Sequence, residues 1–364
     1  MTLRFVPMPS ALFTTSLSIL AALACLPIQA QEFTGPVGFT KTICLPQSDA
    51  FCSPSFNDRE AFMGVLGITT ASGGAATISP SVPPVWTSDQ YKDFFYVRIT
   101  SGAKSGMYYQ ISANSTSTLT IDLAGDNITG LNEGDSFKIC RFWTLGTQFP
   151  PSTQSTIIPS LSTDTPDRRS EVLFANTQSS GINIPPVDKY YLVGSSWLKS
   201  DDATASVMND VIIPPDSYII IRHNHPAISA STTFTTAGTV DFDDMALCMQ
   251  TLASGSQDNH LSLGRPVDVK LAELDLDPVS FLDSLGSLVT QRRDLLCVYD
   301  NTVAQVNRGP SAMYYRMNGS WYMVGGGATT YNDAVLPHSA GFMVRKYKTN
   351  VDQRQIWISN PYND

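Results

Sequence analysis

Short apolar runs, broken every few residues by glycine, proline, asparagine or aspartate, run the length of the chain and predict brief strands joined by turns. One set of runs is written twice. Glu171-Val-Leu, Tyr190-Tyr191, Trp197, Asn209-Asp210-Val-Ile-Ile-Pro214 and Tyr218-Ile-Ile-Ile-Arg222 return as Asp294-Leu-Leu, Tyr314-Tyr315, Trp321, Asn332-Asp333-Ala-Val-Leu-Pro337 and Phe342-Met-Val-Arg345. Leu173 and Leu296, Asn209 and Asn332, Pro214 and Pro337, and Arg222 and Arg345 are 123 positions apart, while the tyrosine pair and the tryptophan are 124 apart. A single insertion near the Tyr-Tyr loop accounts for the change. Each copy reads as a buried strand, a hairpin, a turn at Asn-Asp, and a last strand beyond a proline that cannot donate.

The rest of the chain extends this reading. Phe33 to Phe56 reads as short strands, Asp58 to Leu66 fits either a helical turn or a strand, and Ser72 to Pro84 has the composition of an exposed loop. Between Trp86 and Trp143, Phe94–Thr100, Met107–Ser112, Leu119–Leu123 and Ser136–Cys140 predict four strands of a small barrel or curled sheet. Gly35-Pro-Val-Gly-Phe39 resembles Gly238-Thr-Val-Asp-Phe242, and Asp49-Ala-Phe-Cys-Ser resembles Asn259-His-Leu-Ser-Leu. The simplest account is two homologous β modules with the barrel inserted in the first. The expected fold is therefore all-β and antiparallel, with residues 31–71 and 150–230 as the first module, 72–149 as the insertion and 231–364 as the second module. Val269 to Leu276, with Phe281 to Leu285, is the one stretch that reads as helical.

Composition adds bounds. At 364 residues with 42% hydrophobic and 15% charged content, the chain can bury two or three cores. Its net charge of −9 argues against nucleic acid, which wants a basic face. Arg4, the apolar run from Ala11 to Leu26 and Ile28-Gln29-Ala30 form a secretory signal pattern, with cleavage expected after Ala30. Leu23-Ala24-Cys25 is the rival lipid-anchor reading. No later run reaches the length of a membrane-spanning helix. Of the remaining cysteines, Cys44 and Cys52 are spaced to close a short loop, whereas Cys140 and Cys297 sit in strand-like apolar runs.

Candidate chemistry is sparse. The chain lacks a G-x-S-x-G elbow, a phosphate loop and an H-E-x-x-H pair. His223 and His225 share a face if they continue one strand, which suits a metal, but the second copy carries Lys346 and Lys348 there, so a solvated strand end is expected. Asp241, Asp243 and Asp244 are the densest acid cluster and could contribute to a calcium site, though no distal carboxylate completes it. The repeated Tyr and Trp residues suit sugar stacking or the plugging of a small core, and the core reading is favoured. Asp201-Asp202 and Asp275…Asp277 read as loop caps. No catalytic, cofactor-binding or metal-ligating residue is assigned.

At Pro36-Val-Gly-Phe39, Ser101-Gly-Ala-Lys-Ser-Gly106, Ile111-Ser-Ala-Asn114, Gly134-Asp135-Ser-Phe137 and Trp143-Thr-Leu-Gly146, the chain resembles a family of uncharacterised secreted bacterial β-rich proteins. The resemblance covers most of the mature chain, rests on turn and core residues, and carries over no catalytic residue. Together these readings lead to an expected exported, non-enzymatic protein, structural or adhesive at the cell surface or outside it, whose partner is a surface protein or polysaccharide. A glycan-binding or polysaccharide-active accessory protein is the alternative. The differences between copies, His223 and His225 against Lys346 and Lys348, and Lys199–Asp202 against Gly325–Gly327, mark where function is to be sought.

Overall fold

Strand order repeats across the molecule. The computed structural model describes residues 36–58, 60–360 and 362. The signal pattern at 1–30 and Cys25 lie outside the described residues.

The chain opens with β1 (Val37–Cys44) and β2 (Ser48–Cys52), then leaves for a barrel and returns through β9 (Trp143–Thr144) and a single helical turn, α1 (Leu145–Gln148). It continues with β10 (Ser170–Phe174), β11 (Asp188–Val193), β12 (Ser196–Lys199), β13 (Ile212–Ile213), β14 (Ile219–His223) and β15 (Thr232–Thr239). The later part runs β16 (Met245–Thr251), β17 (Gln257–Ser262), β18 (Val269–Lys270), β19 (Leu295–Val298), β20 (Ala312–Met317), β21 (Ser320–Met323), β22 (Val335–Leu336), β23 (Gly341–Lys346) and β24 (Gln353–Ser359). A five-stranded sheet in the order β12-β11-β10-β14-β2 faces its counterpart in the order β21-β20-β19-β23-β17. Four smaller pairings match as well, β1-β15 with β16-β24 and β9-β13 with β18-β22. The residues that the sequence repeats explain the match. Asn209 and Asn332 each accept from the backbone N–H of the tryptophan in the preceding hairpin, at 2.9 and 2.8 Å. The repeated Trp197 and Trp321 fill the two cores and are 0% and 3% exposed.

Between β2 and β9 the strands β3 (Phe62–Ser72), β4 (Ala75–Pro80), β5 (Phe95–Ile99), β6 (Tyr108–Asn114), β7 (Leu119–Asp122) and β8 (Ser136–Arg141) close into a barrel in the order β3-β4-β7-β6-β5-β8. Closure satisfies the edge groups that a curled sheet would leave open. Four strands of this unit were legible, β3 settles the open choice at Asp58–Leu66 in favour of a strand, and β4 was not legible. Ser72 to Pro84 is not an exposed loop, because Ala76, Ile78 and Pro80 alternate inward and make β4 a barrel stave. The barrel accordingly starts at Phe62 instead of residue 72 and ends at Arg141, since Trp143 and Thr144 pair with β13.

Three further expectations change. The helical reading of 269–285 fails: Val269, Leu271, Leu274, Leu276 and Phe281 are pegs in the second core, and only Leu271–Glu273 forms a 3-10 turn. Pro278 and the irregular spacing leave no continuous helix face. The segments Gly35–Phe39 and Gly238–Phe242, read as equivalents, instead meet in one pairing: β1 and β15 run antiparallel with Gly38 opposite Gly238, so β15 completes the first set of strands and the matching set begins at β16. Asp49 corresponds to Asp258, one residue before Asn259; a one-residue slip turns every side chain to the other face of a strand.

Barrel and second half meet closely. Gly106 adopts φ +84°, and a Cβ there would lie 2.6 Å from the backbone nitrogen of Ala246. Beside that contact Asp241 accepts from Arg98 at 2.9 Å and Lys138 at 2.7 Å, while Lys138 also reaches Asp243 at 2.8 Å. No helix among the described residues is long and apolar enough to cross a membrane.

Candidate functional site

The two five-stranded sheets bury one face each in their own cores and turn the other faces toward one another. Along β2, Ala50 and Cys52 enter the first core, which leaves Asp49 and Phe51 pointing the other way. Along β14, Ile219 and Ile221 are core, which leaves Tyr218, Ile220 and Arg222 beside them. The second half does the same with Asp258 and His260 on β17 and Met343 and Arg345 on β23. These outward faces enclose a cleft of about 410 Å³. That is within the range of small-ligand sites.

The rim is built twice from the same parts. Arg222 grips Asp49 through Nε and Nη2 at 2.7 and 2.8 Å, and Arg345 grips Asp258 at 2.7 and 2.9 Å. Each pair is completed by an asparagine from the opposite half. Asn307 donates its backbone N–H to Asp49 at 2.8 Å and accepts from Arg222 at 2.6 Å. Asn183 donates to Asp258 at 2.6 Å and accepts from Arg345 at 2.9 Å. Both asparagines have positive φ, +51° and +56°, in the left-handed region that this residue tolerates. The exchange is reciprocal, so the molecule has a local pseudo-twofold relation at the cleft.

The floor is not duplicated. Phe51 stacks on Tyr299, with centroids 3.8 Å apart and planes 1° apart. His260, which is Phe51's counterpart on β17, instead meets the hydroxyl of Tyr218 through Nδ1 at 2.6 Å. Tyr218 crosses from the first half to reach it, over Gly341, where a Cβ would fall 2.4 Å from the tyrosine Cγ. Burial lowers the imidazole pKa of His260 and raises the phenol of Tyr218 well above its ordinary value. Burial likewise pushes Tyr299 up to about 12. The rings are thus held neutral and the carboxylates are capped by guanidinium groups. This chemistry suits holding a ligand through stacking and hydrogen bonds.

The structure distributes the residues singled out in the sequence elsewhere. His223 is not a solvated strand end: it is fully buried, with Nδ1 on Ser170 Oγ at 2.8 Å and Nε2 on Thr232 Oγ1 at 2.7 Å. Both ring nitrogens are occupied, and His225 lies beyond the end of β14, so the pair does not converge on a metal. Asp241 and Asp243 face protein cations, and Asp244 accepts from Ser105 at 2.7 Å, so the acid cluster joins barrel to second half instead of framing a calcium loop. Cys44 and Cys52 are both free thiols, buried in the first core. Asp202 and Asp277 cap their loops through backbone N–H groups, as read. Lys199 pairs with Asp188 at 2.7 Å on the first sheet's far edge and does not line the cleft.

Several cleft residues, Tyr218, Arg222 and Arg345 among them, lie in the repeated strings but were read there as scaffold, and the cleft itself was missed. The available signal was an Asp at the same strand position in both halves, hidden by the slip that matched Asp49 with Asn259. A second, smaller hollow of about 260 Å³ lies between the barrel and β24, around Tyr108, Asp216, Cys248 and Arg354. No family model, curated protein or solved structure matches the chain.

Proposed function

We propose that this chain is an exported, non-enzymatic β protein that acts as an adhesive component at the cell surface or outside the cell, and that it holds its ligand in the cleft between the two sheets. Export rests on the signal pattern in residues 1–30. The observation that carries the binding role is the cleft itself, with two matched Arg–Asp–Asn sets at the rim and three aromatic rings, Phe51, Tyr218 and Tyr299, in its wall. The glycan-binding alternative moves to the same place, because Trp197 and Trp321 plug the two cores while the half-buried Tyr299 lines the cleft.

The test uses the mature chain from Gln31, fluorescently labelled and mixed with isolated surface material of the producing cells. Ala175→Trp places a large ring in the cleft from a half-buried position in its lining. Saturable uptake by the native chain, lost in Ala175→Trp with the same circular dichroism spectrum, is the expected result. Uptake that is absent, or equal in both proteins, contradicts the proposal.

A further inference from the structure

The outward face of the two-stranded β1–β15 ribbon stands bare where its counterpart in the second half is covered. Along β1, Cys44 enters the first core and the alternate residues Val37, Phe39, Lys41 and Ile43 point away from it; the three apolar ones are 76, 65 and 59% exposed. Along β16, Met245, Leu247 and Met249 enter the second core, while Ala246 and Cys248 point away and pack against the barrel. Ala246 is 2% exposed there, and its N–H donates to the Gly106 carbonyl at 3.1 Å. The matched ribbon thus shows that this face of the fold takes a barrel. Large apolar residues at successive outward positions of a strand, left in water, mark an interaction surface.

We infer that the β1–β15 ribbon of one copy binds the barrel of a second copy, through a part of the barrel that its own chain leaves free. That part is built on β3, where Leu66 enters the barrel interior and Met63, Val65 and Ile68 are exposed outside. The loop after β4 extends the same surface, since the Ser81 N–H donates to the Val65 carbonyl at 2.8 Å. Its Val82 and Val85 flank Pro83 and Pro84 and are exposed, Val85 at 95%. Two prolines hold such a projection stiff, so little entropy is lost when it docks. Beside the ribbon runs a groove of about 440 Å³ that receives it, bordered by Lys41 and Ile43 of β1 and by Leu45, Pro337 and Ala340.

Charge selects this pairing over ribbon against ribbon. Lys41 lies over the Phe39 ring, and no carboxylate among the described residues pairs with it. A twofold ribbon contact sets the Lys41 ammonium of each copy in the same interface, like charge on like. The barrel surface offers the opposite charge. Glu133 is exposed in the turn beside β3, where Gly134 N–H donates to the Leu66 carbonyl at 2.9 Å, and it has no cation partner among the described residues. Glu60, nearer the start of β3, is already held by Lys138 at 3.8 Å. In the groove, Asp300 and His338 are engaged by Thr302 and Asp268. Ribbon and barrel are different surfaces, so each contact leaves a ribbon free at one end and a barrel at the other. Such head-to-tail contacts propagate into chains or close into rings. None of Val37, Phe39, Ile68 or Val85 lines the cleft, so the inference is independent of what the cleft binds.

Sedimentation velocity of the mature chain over a concentration series tests this, at physiological salt, where a Debye length of about 8 Å screens the net charge of each copy. The native chain gains mass with concentration and passes twice the mass of one copy. Phe39→Asp on the ribbon and Ile68→Asp on the barrel keep the circular dichroism spectrum, and each weakens self-association about tenfold or more. Mixed in equal amounts, the two variants form a one-to-one pair and stop there, because one brings an intact barrel and the other an intact ribbon. Lys41→Glu weakens association about twofold to fivefold, and adding Glu133→Lys to the same chain recovers it. Should either aspartate variant unfold, Ile43→Asp and Met63→Asp make the same mixing test. A native chain that stays monomeric at every concentration overturns the inference. So does a dimer that stops at two copies and persists in Ile68→Asp, or a mixture in which the two aspartate variants stay apart.

Discussion

The two halves pair strand for strand, yet they solve the same position with different chemistry. Where β14 ends, His223 is buried against the Ser170 and Thr232 hydroxyls; where β23 ends, Lys346 is buried against the carboxylate of Asp294 and the carbonyl of Ser280. Around these sites the backbone is alike. Ile158 N–H donates to Ser170 at 3.0 Å, and Leu282 N–H donates to Asp294 at 2.7 Å. A neutral hydrogen-bonded trio and a buried ion pair therefore serve one structural purpose, tying the chain ahead of the sheet and the start of its central strand to the end of the strand beside it. The cleft shows the reverse economy: the rim is preserved in kind while the floor diverges. Differences between the halves thus mark two things, alternative core solutions at His223 and Lys346, and an asymmetric floor at Tyr218, Gly341, Phe51 and His260. The second is where ligand specificity resides in this account.

The comparison breaks most sharply at the buried pair. Asp294→Asn leaves the Lys346 ammonium without its counter-charge in a fully buried site and lowers unfolding free energy by about 3–5 kcal/mol. The matched change Ser170→Ala removes a neutral partner and costs about 1–3 kcal/mol. Urea unfolding of both variants reads the difference, and equal losses would erase the contrast.

At the floor, Gly341→Ala drives a methyl group into Tyr218 and costs about 1–3 kcal/mol through overpacking. In a Tyr218→Ala background the same substitution is nearly free, because the ring it strikes is gone. A thermal double-mutant cycle measures that coupling. Additive losses would show that the crossing of Tyr218 over Gly341 is incidental.

The smallest expected effect is on pH. Burial pulls His223 down to about 4, so the native state resists a proton that the unfolded chain takes up near its ordinary pKa of about 6.5. The stabilising contribution is full above pH 6.5 and is lost as pH falls toward 4, amounting to about 1 kcal/mol by pH 5.5. His260, also lowered by burial, adds in the same direction. Replacing His223 with Gln flattens the urea-midpoint profile between pH 7 and 5.5. Unchanged slope in that variant would assign the pH dependence to other groups.

Much of this architecture was legible because the repeated strings carry the residues that the strands need: the tryptophan plug, the Asn that caps its backbone, and the proline that stops a strand. β4 was not legible, since Ala, Thr, Ser and Pro look like a loop until a barrel supplies an interior for Ala76 and Ile78. The pegs from Val269 to Phe281 mimicked a helix because scattered apolar residues fit that period as well as they fit a core. His223 looked like a strand end facing water, and only the Ser170 and Thr232 hydroxyls, distant from it in the pattern, make its burial tolerable. The cleft escaped because Asp49, Asn183, Asp258 and Asn307 meet across the whole chain, each acquiring its role from a partner in the other half.

The central claim is that the two halves contribute matching Arg–Asp–Asn sets to the rim of one binding cleft. Its most direct measurement is the titration of labelled Asn183→Gly and Asn307→Gly chains, singly and together, against isolated surface material. The account predicts that each single variant weakens binding by a similar factor, about threefold to tenfold, and that the double variant loses roughly the product. Native binding in both single variants, or loss in one with none in the other, would contradict it.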